Sequence, residues 1–164
     1  LVAAAIFNGI AQGSQPIASK LYGEGSHKEI IKVIKMAAVT SLSVSALLVA
    51  AVFLFTKPIA GIFNSEHDPV LAAYAENGIR LYFLGFIFAG INITGAGILS
   101  AIEAANGAFA VSVSRGFIAI VICALAMSAI WGLNGVWLSF AAAELITFII
   151  TVCEIKKNTK RLLN

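Results

Sequence analysis

Three amide side chains, those of Asn8, Gln12 and Gln15, recur at helical spacing near the start of the chain. Intervals of four and three residues place them on one face of a helix, and Ser19 extends that face by another turn. Such amides can hydrogen-bond to a neighbouring helix or line a cavity for polar solutes, and the residues alone leave both interpretations open. Pro16 has no amide hydrogen, so it predicts a bend in this helix.

One acidic residue, Glu144, lies near the middle of another predicted helix, with Thr147 and Thr151 on the same face. A charged carboxyl at the centre of a bilayer costs about 2.5–3.5 kcal/mol, so Glu144 should be protonated, paired or hydrated. It is either a proton-binding group or a neutral acid that hydrogen-bonds to a neighbouring helix. Asn92, near the centre of a third helix, predicts an interhelical hydrogen bond or a position in a cavity.

Glu103 and Arg115 flank a short turn at Asn106–Gly107. We expect both to lie toward one membrane surface, where they could pair across the turn. That pair would be a structural tie between two helices or a gating contact.

Catalytic chemistry finds no support in the sequence. It has no Ser/His/Asp set, no HExxH motif, no phosphate-binding glycine loop and no carboxylates paired on one face. We therefore expect no enzyme activity, no metal site and no cofactor other than a coupling ion. No basic run is interleaved with aromatic residues, so we expect no nucleic-acid partner.

The elements that must position these side chains are membrane helices. The chain has 164 residues, 60% hydrophobic and 12% charged, where a soluble domain has about a quarter charged residues. A crossing needs about 20 apolar residues, and the longest uncharged stretch is interrupted by a Gly132–Gly135 turn signal. The sequence predicts an all-α polytopic bundle of about five transmembrane helices over 1–155, with the lipid bilayer as partner and a basic tail at 156–164. The predicted helices cover 1–20, 27–56, 69–103, 107–131 and 136–155.

Charge predicts the orientation of this bundle. Alternating helices place nine cations on one side and only Lys57 and Arg80 on the other. The nine are Lys20, Lys28, Lys32, Lys35, Arg115, Lys156, Lys157, Lys160 and Arg161. The positive-inside rule assigns the nine to the cytoplasm of a cell-membrane protein, and the C-terminus with them.

Two helix starts carry capping signals. Ser26 and Glu29 have the spacing of a capping box, in which each side chain accepts from the other residue's amide. Asp68 followed by Pro69 predicts an N-cap with proline at the first helical position.

Several of these segments resemble a known family of transporters. Residues 8–17 read NGIAQGSQPI and are followed by Leu21, Tyr22 and Gly23. They resemble the eighth helix of multidrug and toxic compound extrusion (MATE) transporters, which has a G-x-x-Q-G-x-Q-P pattern and then Y-G before a basic loop. The GLNGVW segment at 132–137 is similar to the connection between the family's eleventh and twelfth helices, and AAAELIT at 141–147 is similar to its twelfth helix.

The resemblance implies a partial, carboxy-terminal lobe of a twelve-helix transporter whose amino-terminal lobe is a further partner. It implies multidrug efflux, the export of cationic or amphipathic xenobiotics by an antiporter in exchange for H⁺ or Na⁺. In that reading Asn8, Gln12, Gln15, Pro16, Asn92 and Glu144 are the candidates for lining the transport cavity. Two alternatives remain open: a lipid-linked saccharide flippase of the same superfamily, which should carry more cations in its cavity, and a non-transporting membrane subunit.

Overall fold

The computed structural model describes residues 2–64 and 68–163. Within them the elements are helical, and they follow in the order α1 (Val2–Gly23), α2 (His27–Leu54), α3 (Thr56–Phe63), α4 (Pro69–Phe83), α5 (Phe86–Ala101), α6 (Ala105–Val113), a π-helical segment (Ser114–Ile118) and α7 (Ala119–Leu163). No strand occurs in these two ranges, so the all-α prediction is confirmed. Residue 1, residues 65–67 and residue 164 lie outside the two described ranges.

Helix α7 folds back on itself at Gly132. This glycine has φ 57° and ψ −132°, which is not helical, and a glycine tolerates such angles better than any other residue. In a straight helix Arg115 and Glu144 would lie about 43 Å apart, yet their side chains are in contact. We therefore treat 119–131 and 133–163 as two legs, joined where the sequence places its turn signal.

The long helical segments alternate in direction. Helix α1 runs alongside α5, with Phe7 against Gly90 and Gln15 against Gly97, whereas α2 crosses α5 in the opposite sense. The last leg of α7 runs parallel to α4 and α5, since Trp137 contacts Gly78 and Thr151 contacts Asn92. The two ends of the bundle are therefore distinct. We call the end that contains the turns at 24–26 and 102–104 the basic end.

The predicted helix over 69–103 is two helices in the structure. Helices α4 and α5 meet at a bend of 41° around Leu84–Gly85. At the bend, Gly85 lies directly against the Phe140 ring and the Ala141 backbone. A side chain at this position would push the pair away from the last leg of α7.

By length and composition, two helical segments of the described chain can cross a membrane, namely α2 and the run from Ala105 to Leu163. The bent pair α4–α5 is a third if it counts as one span. The run from Ala105 contains the fold-back at Gly132 and so contributes two legs. Helix α1 is not one of these segments, and it carries the polar side chains of Asn8, Gln12 and Gln15.

The two capping predictions have opposite outcomes. Asp68 caps α4 as expected, with its carboxylate accepting from the amides of Val70 (2.7 Å) and Leu71 (3.4 Å). The capping box at Ser26 is wrong: the Ser26 side chain makes no cap hydrogen bond. Glu29 is instead engaged with Lys32 at 2.7 Å, so its carboxylate is not available to reach back.

Candidate functional site

Glu144 is the centre of a polar network inside the bundle. Its side chain is only 3% exposed, and Arg115 Nε donates to its Oε1 at 2.7 Å. Asn92 Nδ2 donates to the other carboxylate oxygen at 2.7 Å and to the Glu144 backbone carbonyl at 2.8 Å. Thr151 Oγ1 in turn donates to Asn92 Oδ1 at 3.0 Å. Three separate helical segments therefore meet at one carboxylate.

Local helix geometry explains how the last leg supplies its part of this network. Glu144, Thr147 and Thr151 follow each other at intervals of three and four residues and so share a face. The Thr147 hydroxyl donates to the Ala143 carbonyl at 2.9 Å. The Thr151 hydroxyl lies 2.9 Å from the Thr147 carbonyl as well as 3.0 Å from Asn92 Oδ1, so these two acceptors share its single hydrogen. Ser114 adds a hydroxyl contact to Thr147 at 3.4 Å.

The ion pair with Arg115 explains how the bundle accommodates the buried acid Glu144. The sequence predicted that Glu144 is protonated, paired or hydrated, and in the structure it is paired, because both carboxylate oxygens accept from a donor. An ion pair inside a bundle returns its desolvation cost only when the remaining lone pairs are also satisfied. Arg115 differs from its partner in exposure, since its side chain is 30% exposed and opens toward a cavity.

That cavity belongs to a polar groove on one face of the bundle. Two adjoining cavities, of about 320 and 220 Å³, lie between α1, α5 and α6. The larger is lined by Gln12 and Gln15, the smaller by Asn92 and Arg115, and Asn8 lines both. The groove thus brings the predicted amide face and the predicted acid's partner residues onto one continuous surface.

The predicted amides lie at the surface of the described chain rather than inside it. Asn8 and Gln12 are exposed and Gln15 is half-buried. Pro16 is exposed within α1, which continues as a helix to Gly23. Gly9 has no atom of another element within 4 Å of where a side chain would begin. No other helix of the described residues covers this face of α1.

The expected tie between Glu103 and Arg115 is wrong. Arg115 lies ten residues into the helical run that starts at Ala105, which is about 15 Å from the turn. Glu103 stays at the turn, in a left-handed conformation with φ 57°, and lines a different cavity with Glu154 and Lys157. Arg115 is therefore a cation inside the bundle, and the nine cations counted on its side become eight.

The Arg115–Glu144 pair was not predicted, although the sequence contains a signal for it. Arg115 is the only charged residue between Glu103 and Glu144. A lone cation in such a long apolar run must find a counter-charge within the bundle. Glu144 is the next charge along the chain, on the far side of the Gly132 turn.

The fold and this network together define a polytopic helical membrane protein with a charged pair at the centre of its bundle, the kind of arrangement that marks solute and ion pathways. The MatE family profile matches residues 1–125. The chain therefore belongs to the MatE family of membrane transport proteins.

A solved structure has the same fold. It is described as the inward-facing conformation of a multidrug resistance MATE family transporter of the MOP superfamily. The match has a TM-score of 0.91 at 16% sequence identity and covers 98% of this chain. This chain spans 37% of the length of that transporter. No curated protein gives a significant match.

Proposed function

We propose that this chain is the carboxy-terminal lobe segment of a secondary active efflux transporter that exports cationic, amphipathic compounds in exchange for protons. The observation that carries the proposal is the ion pair of Glu144 with Arg115, which lies deep in the bundle and opens onto the polar groove. Family membership and the fold support a transport role. The chain spans 37% of the length of the matched transporter, which supports the presence of a second lobe in the complete protein.

In this proposal Glu144 is the proton-binding group. A proton that binds to a Glu144 carboxylate oxygen removes the negative charge that Arg115 faces at 2.7 Å. The guanidinium is then an unbalanced cation at the wall of the groove, where a cationic substrate would be repelled. Loss of the proton restores the pair and returns the groove to neutrality. Substrate and proton would thus exclude each other, which is what an exchanger needs.

A proton suits this site better than Na⁺. Sodium requires several oxygen ligands at once, whereas Asn92 Nδ2 and Arg115 Nε, both donors, already occupy the Glu144 carboxylate. Among the described residues, no group of three His, Cys, Asp or Glu side chains that could hold a metal ion occurs. The neutral amides of Asn8, Gln12 and Gln15 are suited to hydrogen-bonding with a polar part of the substrate.

The orientation is part of the same proposal. Eight cations remain near the basic end against Lys57 and Arg80 at the other, which supports a cytoplasmic basic end and C-terminus in the cell membrane.

The test is cation efflux from membrane vesicles that contain the complete gene product. With an imposed pH gradient, Glu144→Gln should slow ethidium efflux at least tenfold, because the amide cannot bind and release a proton. Glu29→Gln is the matched control, as Glu29 is an exposed acid at the basic end. An imposed Na⁺ gradient should drive no efflux in either variant. Unchanged efflux and pH dependence in Glu144→Gln would reject this role.

The flippase alternative predicts an excess of cations in the cavity, since its substrate carries phosphates. Arg115 is such a cation, but Glu144 neutralises it at contact distance. The groove therefore has no net positive charge from this pair, which favours the cation exporter. A non-transporting subunit is distinguished by the vesicle assay itself, because it would give no substrate flux under any gradient.

A further inference from the structure

Two helices present the same surface pattern near the basic end of the bundle. On α2, Lys28, Lys32 and Lys35 follow one another at intervals of four and three residues, so they lie on one exposed face. Val39 and Leu42 continue that face toward the middle of the bundle, and their exposed fractions are 65% and 49%. The exposed face of α2 therefore changes from cationic to apolar within one turn.

The last leg of α7 repeats this pattern in the reverse chain direction. Leu145 and Ile149 are exposed apolar side chains, and the same face ends in the exposed cations Lys156 and Lys160. Because α2 begins and α7 ends at the basic end, both faces become cationic at the same end of the bundle. Lysines beside an apolar helix face keep their stems on that face and extend their charges into the headgroup layer of a membrane.

The two faces meet at a cavity of about 410 Å³ between the start of α2 and the end of α7. Lys28 and Leu163 both line it, and Leu162, which also lines it, packs in the same buried cluster as Ile30. His27 lies in its wall, and the Nδ1 atom of this ring is buried without a hydrogen-bond partner among the described residues. The cavity thus joins a cation, an unsatisfied nitrogen and two leucines.

Most of the cations around this cavity have no acidic partner. Among the described residues that line it, Glu29 is the only acid, and it is paired with Lys32 at 2.7 Å. Four exposed lysines form no ion pair with any residue that the structure describes, namely Lys28, Lys35, Lys156 and Lys160. The surface around the cavity therefore carries an excess of positive charge next to exposed apolar side chains.

We propose that this cavity binds the headgroup of an anionic phospholipid, with the acyl chains along the exposed apolar face of α2. A phosphate group accepts several hydrogen bonds and complements the uncompensated charge of Lys28. The apolar face distinguishes a lipid from a free anion, because a phosphate ion gains nothing from Val39 and Leu42. A zwitterionic lipid has the same chains but no net charge, so it should bind more weakly. This site is separate from the polar groove and does not rest on the proposed function.

The test is photo-crosslinking of the complete gene product in vesicles with equal amounts of phosphatidylglycerol and phosphatidylcholine. The photo-reactive residue p-benzoylphenylalanine replaces Val39, which lies on the proposed path of the acyl chains, and mass spectrometry counts the crosslinked lipids. Lys28→Gln removes one charge at the cavity. Lys57→Gln is the matched control, because it removes one exposed lysine at the opposite end of the bundle.

We expect more crosslinks to phosphatidylglycerol than to phosphatidylcholine. Lys28→Gln should lower the ratio of the two by about fivefold, which is the share of one lysine near an anionic lipid. Lys57→Gln should leave this ratio unchanged, and Lys28→Arg, which keeps the charge, should preserve it. Equal crosslinking to the two lipids before any lysine is changed would overturn the proposal, and so would equal losses in the two glutamine variants.

Two further arms identify the ligand and test the second helix. At constant ionic strength, millimolar inorganic phosphate should leave the preference for phosphatidylglycerol unchanged. A preference that phosphate abolishes would assign the cavity to a free anion and reject the lipid. Lys160→Gln should also lower the ratio, and an unchanged ratio would contradict a site shared by the two helices. None of these measurements involves transport, so this test and the efflux test can fail independently.

Discussion

The strength of the Arg115–Glu144 contact can be measured with a double-mutant cycle. The variants are Glu144→Gln, Arg115→Gln and the two together. Each single variant leaves one charge without its partner inside the bundle, whereas the double variant leaves two neutral amides. The cycle therefore isolates the attraction between the two charges from the separate costs of changing each residue.

The expected size follows from distance and exposure. Two unit charges about 4 Å apart attract by about 4 kcal/mol at an effective dielectric constant of 20. The Arg115 side chain is 30% exposed, and water at that edge screens the attraction. We expect a coupling energy of about 2 kcal/mol, with the double variant losing less stability than the sum of the two singles.

The assay is the free energy of unfolding of the purified protein in mixed detergent micelles. Glu29 and Lys32 form the control pair, because their N–O distance is also 2.7 Å while both side chains are more than half exposed. That cycle should give under about 0.5 kcal/mol. Similar coupling energies for the two pairs would show that burial does not strengthen the contact and would refute the reasoning.

Two further predictions concern packing and topology. Gly85→Ala should lower the free energy of unfolding by about 1–3 kcal/mol, because the new methyl group meets the Phe140 ring. Gly9→Ala is the control, since the new methyl group there enters open space and should not change the free energy of unfolding. Equal losses in the two variants would argue against close packing at the bend. For the topology, an impermeant maleimide should label a cysteine that replaces Lys157 from the cytoplasmic side and a cysteine that replaces Lys57 from outside. The reverse labelling pattern would overturn the orientation.

Features set by local sequence were predictable. The cap at Asp68 depends on adjacent residues only, and the turn near Gly132 is marked by two glycines and an asparagine. The all-helical class follows from apolar stretches of bilayer length. The polar character of Glu144's surroundings also follows, since an acid in that stretch needs partners.

Features set by contacts between distant segments were not predictable. Arg115 pairs with Glu144, 29 residues away, and not with Glu103, which is nearer in sequence. The reason is that the run from Ala105 is helical through Arg115, which places Arg115 far from the turn that contains Glu103. The close packing of Gly85 against Phe140 likewise joins two residues that are remote in sequence. Helical periodicity placed Asn8, Gln12 and Gln15 on one face but did not say what that face meets.

The π-helical segment at Ser114–Ile118 changes which residues of its leg can face inward. Val111 and Cys123 are both buried, although twelve residues of regular α-helix would turn them about 120° apart. A wide turn holds more residues than an α-turn, so it absorbs part of that offset. Deleting one residue from this segment would leave Val111 and Cys123 eleven residues apart, which in regular α-helix is only about 20° around the axis. We therefore expect the shortened leg to form regular α-helix and keep both residues facing inward, without the wide turn.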